Sequence, residues 1–126
     1  MYWFSMVIAL LAAFGIIAIG MMYLSDPKAA TRSFGLPLPE AGANVAWWLR
    51  LKGVRDVVSG IVVLAMLVWG GPRVLGIILL VEALIPAGDM SLVVAARGST
   101  ARALGIHGLT AMLMITGAVP LILGAA

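Results

Sequence analysis

Apolar residues run along this chain in four long blocks, separated by short clusters of proline, glycine and charge. The first, Tyr2 to Leu24, carries no charged side chain. At ~1.5 Å per residue it is long enough to cross a hydrocarbon core about 30 Å thick as one helix. Tyr2 and Trp3 at one end and Tyr23 at the other read as interfacial anchors. Ser25 to Ala46 is the long polar connection. In it Ser25-Asp26-Pro27 stops or restarts a helix, because proline lacks a donor and restricts the residue before it. Phe34-Gly35-Leu36-Pro37-Leu38-Pro39 cannot continue a helix and is expected as an extended turn at the membrane surface. The second block runs from about Val45 to Trp69, and Gly70-Gly71-Pro72 breaks it. The third runs from Arg73 to Ala96, with Pro86-Ala87-Gly88 inside it predicting a kink. Arg97-Gly98-Ser99-Thr100 is the next turn, and Ala101 to Leu123 is the fourth block.

The pattern predicts one all-α integral membrane domain over 1–126. It is a four-transmembrane-helix bundle with spans 2–24, 45–69, 73–96 and 101–123, and a Pro/Gly-rich interfacial loop between helices 1 and 2. The first block is read as a retained span rather than a signal peptide, since it lacks a basic start and a cleavage site. Composition agrees: 63% of residues are hydrophobic and only 10% charged, against about 25% charged in soluble domains. Eight basic residues outnumber five acidic ones, but no basic run or aromatic platform appears, so no nucleic-acid partner is expected. There is no cysteine, which excludes disulfides, thiolate chemistry and Cys-ligated metals. Lys28 and Arg32 in the first connection and Arg97 and Arg102 around the third outweigh Arg73 in the second. Both termini are therefore expected on the non-cytoplasmic side, of a bacterial inner membrane in the first instance.

Charge changes the picture most in Trp47-Trp48-Leu49-Arg50-Leu51-Lys52-Gly53-Val54-Arg55-Asp56-Val57-Val58-Ser59-Gly60. Ionisable side chains in lipid normally pair, line a water-filled cavity, or reach the interface. At ~100° per residue, Lys52, Arg55, Asp56 and Ser59 form one helical stripe, with Arg50 on the opposite side. Glu82, Pro86 and Asp89 form a second stripe, and His107, Thr110 and Met114 a third. With alternating spans all three stripes fall in the same half of the bilayer. One polar cluster of Lys52, Arg55, Asp56, Glu82, Asp89 and His107 is thus expected. Glu82 has no opposite charge within a helical turn, so it finds a partner on another helix or carries a proton. No Glu-x-x-His or His-x-x-x-His spacing supports a metal, and no cofactor is expected.

The elements Tyr23-Leu24-Ser25-Asp26-Pro27, Phe34-Gly35-Leu36-Pro37, Lys52-Gly53-Val54-Arg55-Asp56, Pro86-Ala87-Gly88-Asp89 and Ile106-His107-Gly108 resemble a family of small four-span membrane proteins of bacteria and fungi, a domain of unknown function. The resemblance covers nearly the whole chain, and Lys-Gly-x-Arg-Asp is its most specific part. It implies the four-helix membrane fold and assigns no activity. Size and span count are also similar to the small multidrug transporters, which carry their essential carboxylate in the first span, where this chain has none.

The residues favour a protein that binds a small lipophilic ligand reached from the bilayer or the cytoplasmic loops. Lys52 and Arg55 would hold an anionic or carbonyl oxygen, and Asp56, Glu82, Asp89 or His107 would move protons in isomerisation, cyclisation or hydration. A proton-coupled transporter acting as a homodimer is one alternative. A structural or accessory subunit, with the charges serving only as a polar plug, is the other.

Overall fold

The computed structural model describes residues 1–40 and 42–124. Among these, every regular element is helical: α1 (Tyr2–Ser25), α2 (Pro27–Phe34), α3 (Val45–Trp69), α4 (Gly71–Glu82), α5 (Leu84–Ala95), α6 (Thr100–Arg102), a π-helical stretch (Ala103–Gly108) and α7 (Leu109–Leu123). Three stretches are long and apolar enough to cross a membrane: Tyr2–Ser25, Gly71–Ala95 and Thr100–Leu123. α3 matches them in length, but Arg50, Lys52, Arg55 and Asp56 in its first half lower its apolar character.

The packing is inside out by the standard of a soluble protein. Phe14, Leu84, Leu92, Leu104 and Leu123 all point outward, whereas Ala9, Ala13, Ala83 and Ala118 are buried. Lipid solvates large apolar side chains, so close backbone approach at small residues is what holds such helices together. α1 crosses α3 in this way: a Cβ added to Gly53 would lie 2.7 Å from the Gly20 carbonyl oxygen. α4 meets α7 at Gly76, beside the carbonyl of Ala118. Together these features mark a membrane protein.

α1 packs on α3 and α7, α4 on α7 and α3, and α5 on the π-helical stretch. Val63, Leu75, Leu79, Met114 and Leu121 fill an apolar core in the half nearer the termini and the Gly70–Pro72 turn. The other half differs, because the third block is interrupted there. Pro86 has no N–H to offer the carbonyl four residues back, that of Glu82. The helix accordingly breaks at Ala83, one turn before the proline, rather than at Pro86-Ala87-Gly88 itself. Beyond the break α5 packs chiefly on the π-helical stretch, whereas α4 packs on α3 and α7, and the site lies in this half.

The first connection also departs from expectation. Asp26 caps α2, its Oδ1 accepting from the Ala29 N–H at 3.0 Å, and Pro27 occupies the first helical position. Gly35, at φ 104°, ends the helix in the left-handed conformation that glycine tolerates best. Phe34 is therefore the last residue of a helix and not the start of an extended turn. The Gly35 carbonyl accepts from the Ser99 N–H at 2.8 Å, and the Arg102 guanidinium donates to the Arg32 carbonyl. These bonds tie α2 across the end of the molecule, onto the α5–α6 turn.

Candidate functional site

Beneath α2 lies a cavity of about 210 Å³ between α1, α3, α5 and the π-helical stretch. Leu11, Gly15, Ile19, Val63, Ile106 and Met114 give it an apolar wall, and Lys52, Ser59, Glu82, Asp89 and His107 a polar one. Four of the six ionisable residues expected to cluster therefore face one space. The other two do not. Asp56 is 6% exposed and sits behind Lys52, whose Nζ lies 2.6 Å from its Oδ2. Arg55 is exposed and lines a separate outer groove of about 380 Å³ with Trp48, Leu51, Lys52, Asp56, Ile85 and Asp89. The expected single cluster is thus divided between two spaces that share Lys52 and Asp89.

Lys52 is held on several sides. Its ammonium stands 4.8 Å from the centre of the Tyr23 ring and 5.2 Å from that of Phe34, in cation–π range of both. Tyr23, expected as an interfacial anchor, is buried under this charge instead. Its place follows from the close α1–α3 crossing at Gly20 and Gly53, which brings the ring to the lysine one turn on. Arg50, on the opposite side of α3, donates from Nε to the Leu24 carbonyl at 3.2 Å and lies over Trp47.

Glu82 accepts a hydrogen bond from the Ser59 hydroxyl. Among the described residues no cation lies within ion-pair distance of it. Its position at the last turn of α4, just before the break, points its carboxylate into the cavity across from α3.

His107 is buried, and its Nε2 lies 2.8 Å from the Phe34 carbonyl oxygen. A carbonyl only accepts, so Nε2 carries the hydrogen. In the neutral ring Nδ1 then holds a lone pair, turned toward Asp89 Oδ2 at 3.9 Å. That separation is too long for a direct hydrogen bond, yet a polar atom of a bound molecule can bridge it. The Phe34 ring also lies 4.6 Å from the imidazole, so one residue of α2 touches both His107 and Lys52. The π-helical stretch carries His107, with the Leu109 N–H reaching the Leu104 carbonyl across a wider turn. Such insertions recur at functional sites. Asp89 and His107 are possible ligands for a cation, but no third such group joins them among the described residues.

Residues 13–121 match the family described as "Domain of unknown function (DUF4267)". The chain belongs to this family. The match spans Tyr23, Phe34, Lys52, Glu82, Asp89 and His107, so the whole polar wall lies within the DUF4267 domain. No curated protein and no solved structure is matched by the chain. Phe34 and Tyr23 are the site residues that sequence reasoning passed over. The Asp26-Pro27 start and Phe34-Gly35 stop were the signal for a short helix returning over the bundle.

Proposed function

We propose that this DUF4267 protein crosses the bilayer four times and that its cavity receives a small lipophilic molecule, which it acts on by acid–base chemistry. In this reading α3 is the remaining span, with Trp47 and Trp48 near one boundary and Trp69 at the other. Its charged flank is tolerated because Lys52 and Asp56 neutralise each other and Asp56 is buried.

One observation carries the reading. A cavity walled by aliphatic side chains presents an ammonium, two carboxylates and an imidazole with a free lone pair. Apolar walls with a few convergent polar groups are the usual form of a small-molecule site. Lys52 polarises a carbonyl or holds an anionic oxygen, with Asp56 fixing its position. His107 and Asp89 take and return a proton across the 3.9 Å gap. Glu82, hydrogen-bonded to Ser59 and with no cation at ion-pair distance among the described residues, serves as a second proton-exchanging group deeper in the cavity.

A cavity-filling variant tests this. A Cβ at Gly15 meets nothing within 4 Å, and the residue lines the cavity. Gly15→Leu is therefore expected to project into the space from a position where its Cβ is unobstructed. Organic extracts of the purified wild-type protein are expected to contain a lipophilic carbonyl compound or acid, by mass spectrometry, that is depleted at least tenfold in extracts of Gly15→Leu. Identical extracts from both proteins, at matched melting temperatures, would refute the reading.

A further inference from the structure

The outer groove between α3 and α5 differs from the cavity in that its unmatched side chain is a cation. Lys52 is neutralised by Asp56 at 2.6 Å, and Asp89 faces His107 at 3.9 Å. Among the described residues Arg55 has no carboxylate within ion-pair distance, and it is exposed. Trp48 and Trp69 stand about 30 Å apart along α3 at ~1.5 Å per residue, close to the thickness of a hydrocarbon core. On the same scale Arg55 lies about 10 Å below the Trp48 level. A guanidinium at that depth calls for an anion.

The groove and the cavity share Lys52, Ile85 and Asp89, so only one layer of side chains separates them. The groove runs between α3 and α5 beside the break at Ala83, and in a bilayer it would open to lipid. Trp48, Leu51 and Ile85 line it with apolar surface. We infer that Arg55 anchors the carboxylate of a single-chain lipophilic acid, which enters between α3 and α5 and lays its chain in the central cavity. This inference rests on the cavity reading above. It gives that ligand a chemical class and a direction: head toward the Trp48 boundary, chain toward Val63 and Met114, as such an acid already lies in a leaflet. The planar guanidinium matches a carboxylate through two parallel N–H donors. A phospholipid brings two chains to a cavity of about 210 Å³, and fits it poorly.

The test uses the full chain in nanodiscs of neutral phosphatidylcholine. The probes are palmitic acid and palmityl alcohol, each with a diazirine in the chain, and labelling is measured against probe concentration. The acid is expected to bind at least tenfold more tightly than the alcohol. Arg55→Gln should remove that preference, weakening the acid roughly tenfold and leaving the alcohol unchanged, since a hydrogen-bonded charge pair is lost. Arg50→Gln removes the same charge outside the groove and should change neither probe more than twofold. Equal binding of acid and alcohol overturns the proposal. So does an equal loss of acid binding in Arg50→Gln, a parallel loss of both probes in Arg55→Gln, or displacement of the acid by added phosphatidylglycerol. Gly15→Leu separates the two readings. If it abolishes binding of both probes while Arg55→Gln changes nothing, the cavity stands and the anchor fails. If Arg55→Gln weakens the acid and Gly15→Leu changes nothing, the anchor stands and the cavity reading fails.

Discussion

Asp56 and Glu82 are carboxylates of similar setting with different partners, and the difference decides what each can lose. Asp56 is buried against the Lys52 ammonium, so Asp56→Asn leaves a cation without its counter-ion. A fully buried orphan costs ~3–5 kcal/mol. Lys52 keeps 30% of its side chain exposed and two aromatic rings beside it, so about 1–3 kcal/mol is expected here. Glu82 accepts from a neutral hydroxyl, and a glutamine carbonyl accepts equally well. Glu82→Gln should stay within about 1 kcal/mol of wild type. Thermal melts of both variants in one detergent at pH 7 check this, and a strongly destabilised Glu82→Gln beside an unaffected Asp56→Asn would make Glu82 structural. The stripes that placed Lys52, Glu82, Asp89 and His107 on one cavity were legible because helical periodicity alone sets which side chains share a face. Arg55, on the same stripe, lines the outer groove instead. A stripe about 100° wide can face two spaces at once, and which one each residue meets depends on how α5 packs beside α3.

At the level of elements, the apolar blocks and their breaks gave the helices to within a few residues. Proline and glycine end helices by local chemistry, with no knowledge of neighbours. What local chemistry does not carry is where an element docks. α2 has the capping signature of a helix, but its return over the bundle depends on bonds from Ser99 and Arg102, about seventy residues away. The roles of Tyr23 and Phe34 were hidden for that reason. Helix contacts make their own prediction through two glycines of one sequence type and opposite surroundings. A Cβ on Gly53 meets the Gly20 carbonyl oxygen at 2.7 Å and the Tyr23 side chain at 2.9 Å, whereas one on Gly15 meets nothing within 4 Å. Gly53→Ala should therefore destabilise by about 1–3 kcal/mol, as overpacking against backbone does. Gly15→Ala should be neutral or stabilising by up to about 1 kcal/mol through helix propensity. Chemical denaturation in mild detergent reads both, and equal effects would mean that α1 and α3 are not in contact at this crossing.

For the whole molecule, the geometry groups the basic residues as a transmembrane orientation requires. The bonds from Ser99 to Gly35 and from Arg102 to Arg32 join the first and third connections at one end, which also carries Lys28 and Arg97. At the other end Arg73 reaches the Ile122 carbonyl at 3.4 Å, near the end of α7. Lysine and arginine near helix ends favour the cytoplasmic side, so the α2 end should face the cytoplasm and both termini the opposite side. The chain has no cysteine, so any introduced thiol is its sole thiol. Tyr2→Cys, Glu40→Cys, Pro72→Cys and Thr100→Cys all place it at exposed positions. In intact cells a membrane-impermeant maleimide should label positions 2 and 72. Positions 40 and 100 should react only after permeabilisation. The pair 40 and 72 bears on α3 alone, the helix whose charges set it apart from the three apolar stretches. If both label from one side, α3 does not span, and Lys52 reaches water without a membrane cavity around it. If all four positions react with sides exchanged, the four spans stand but the basic end faces outward, and α2 would cover the site from the outside.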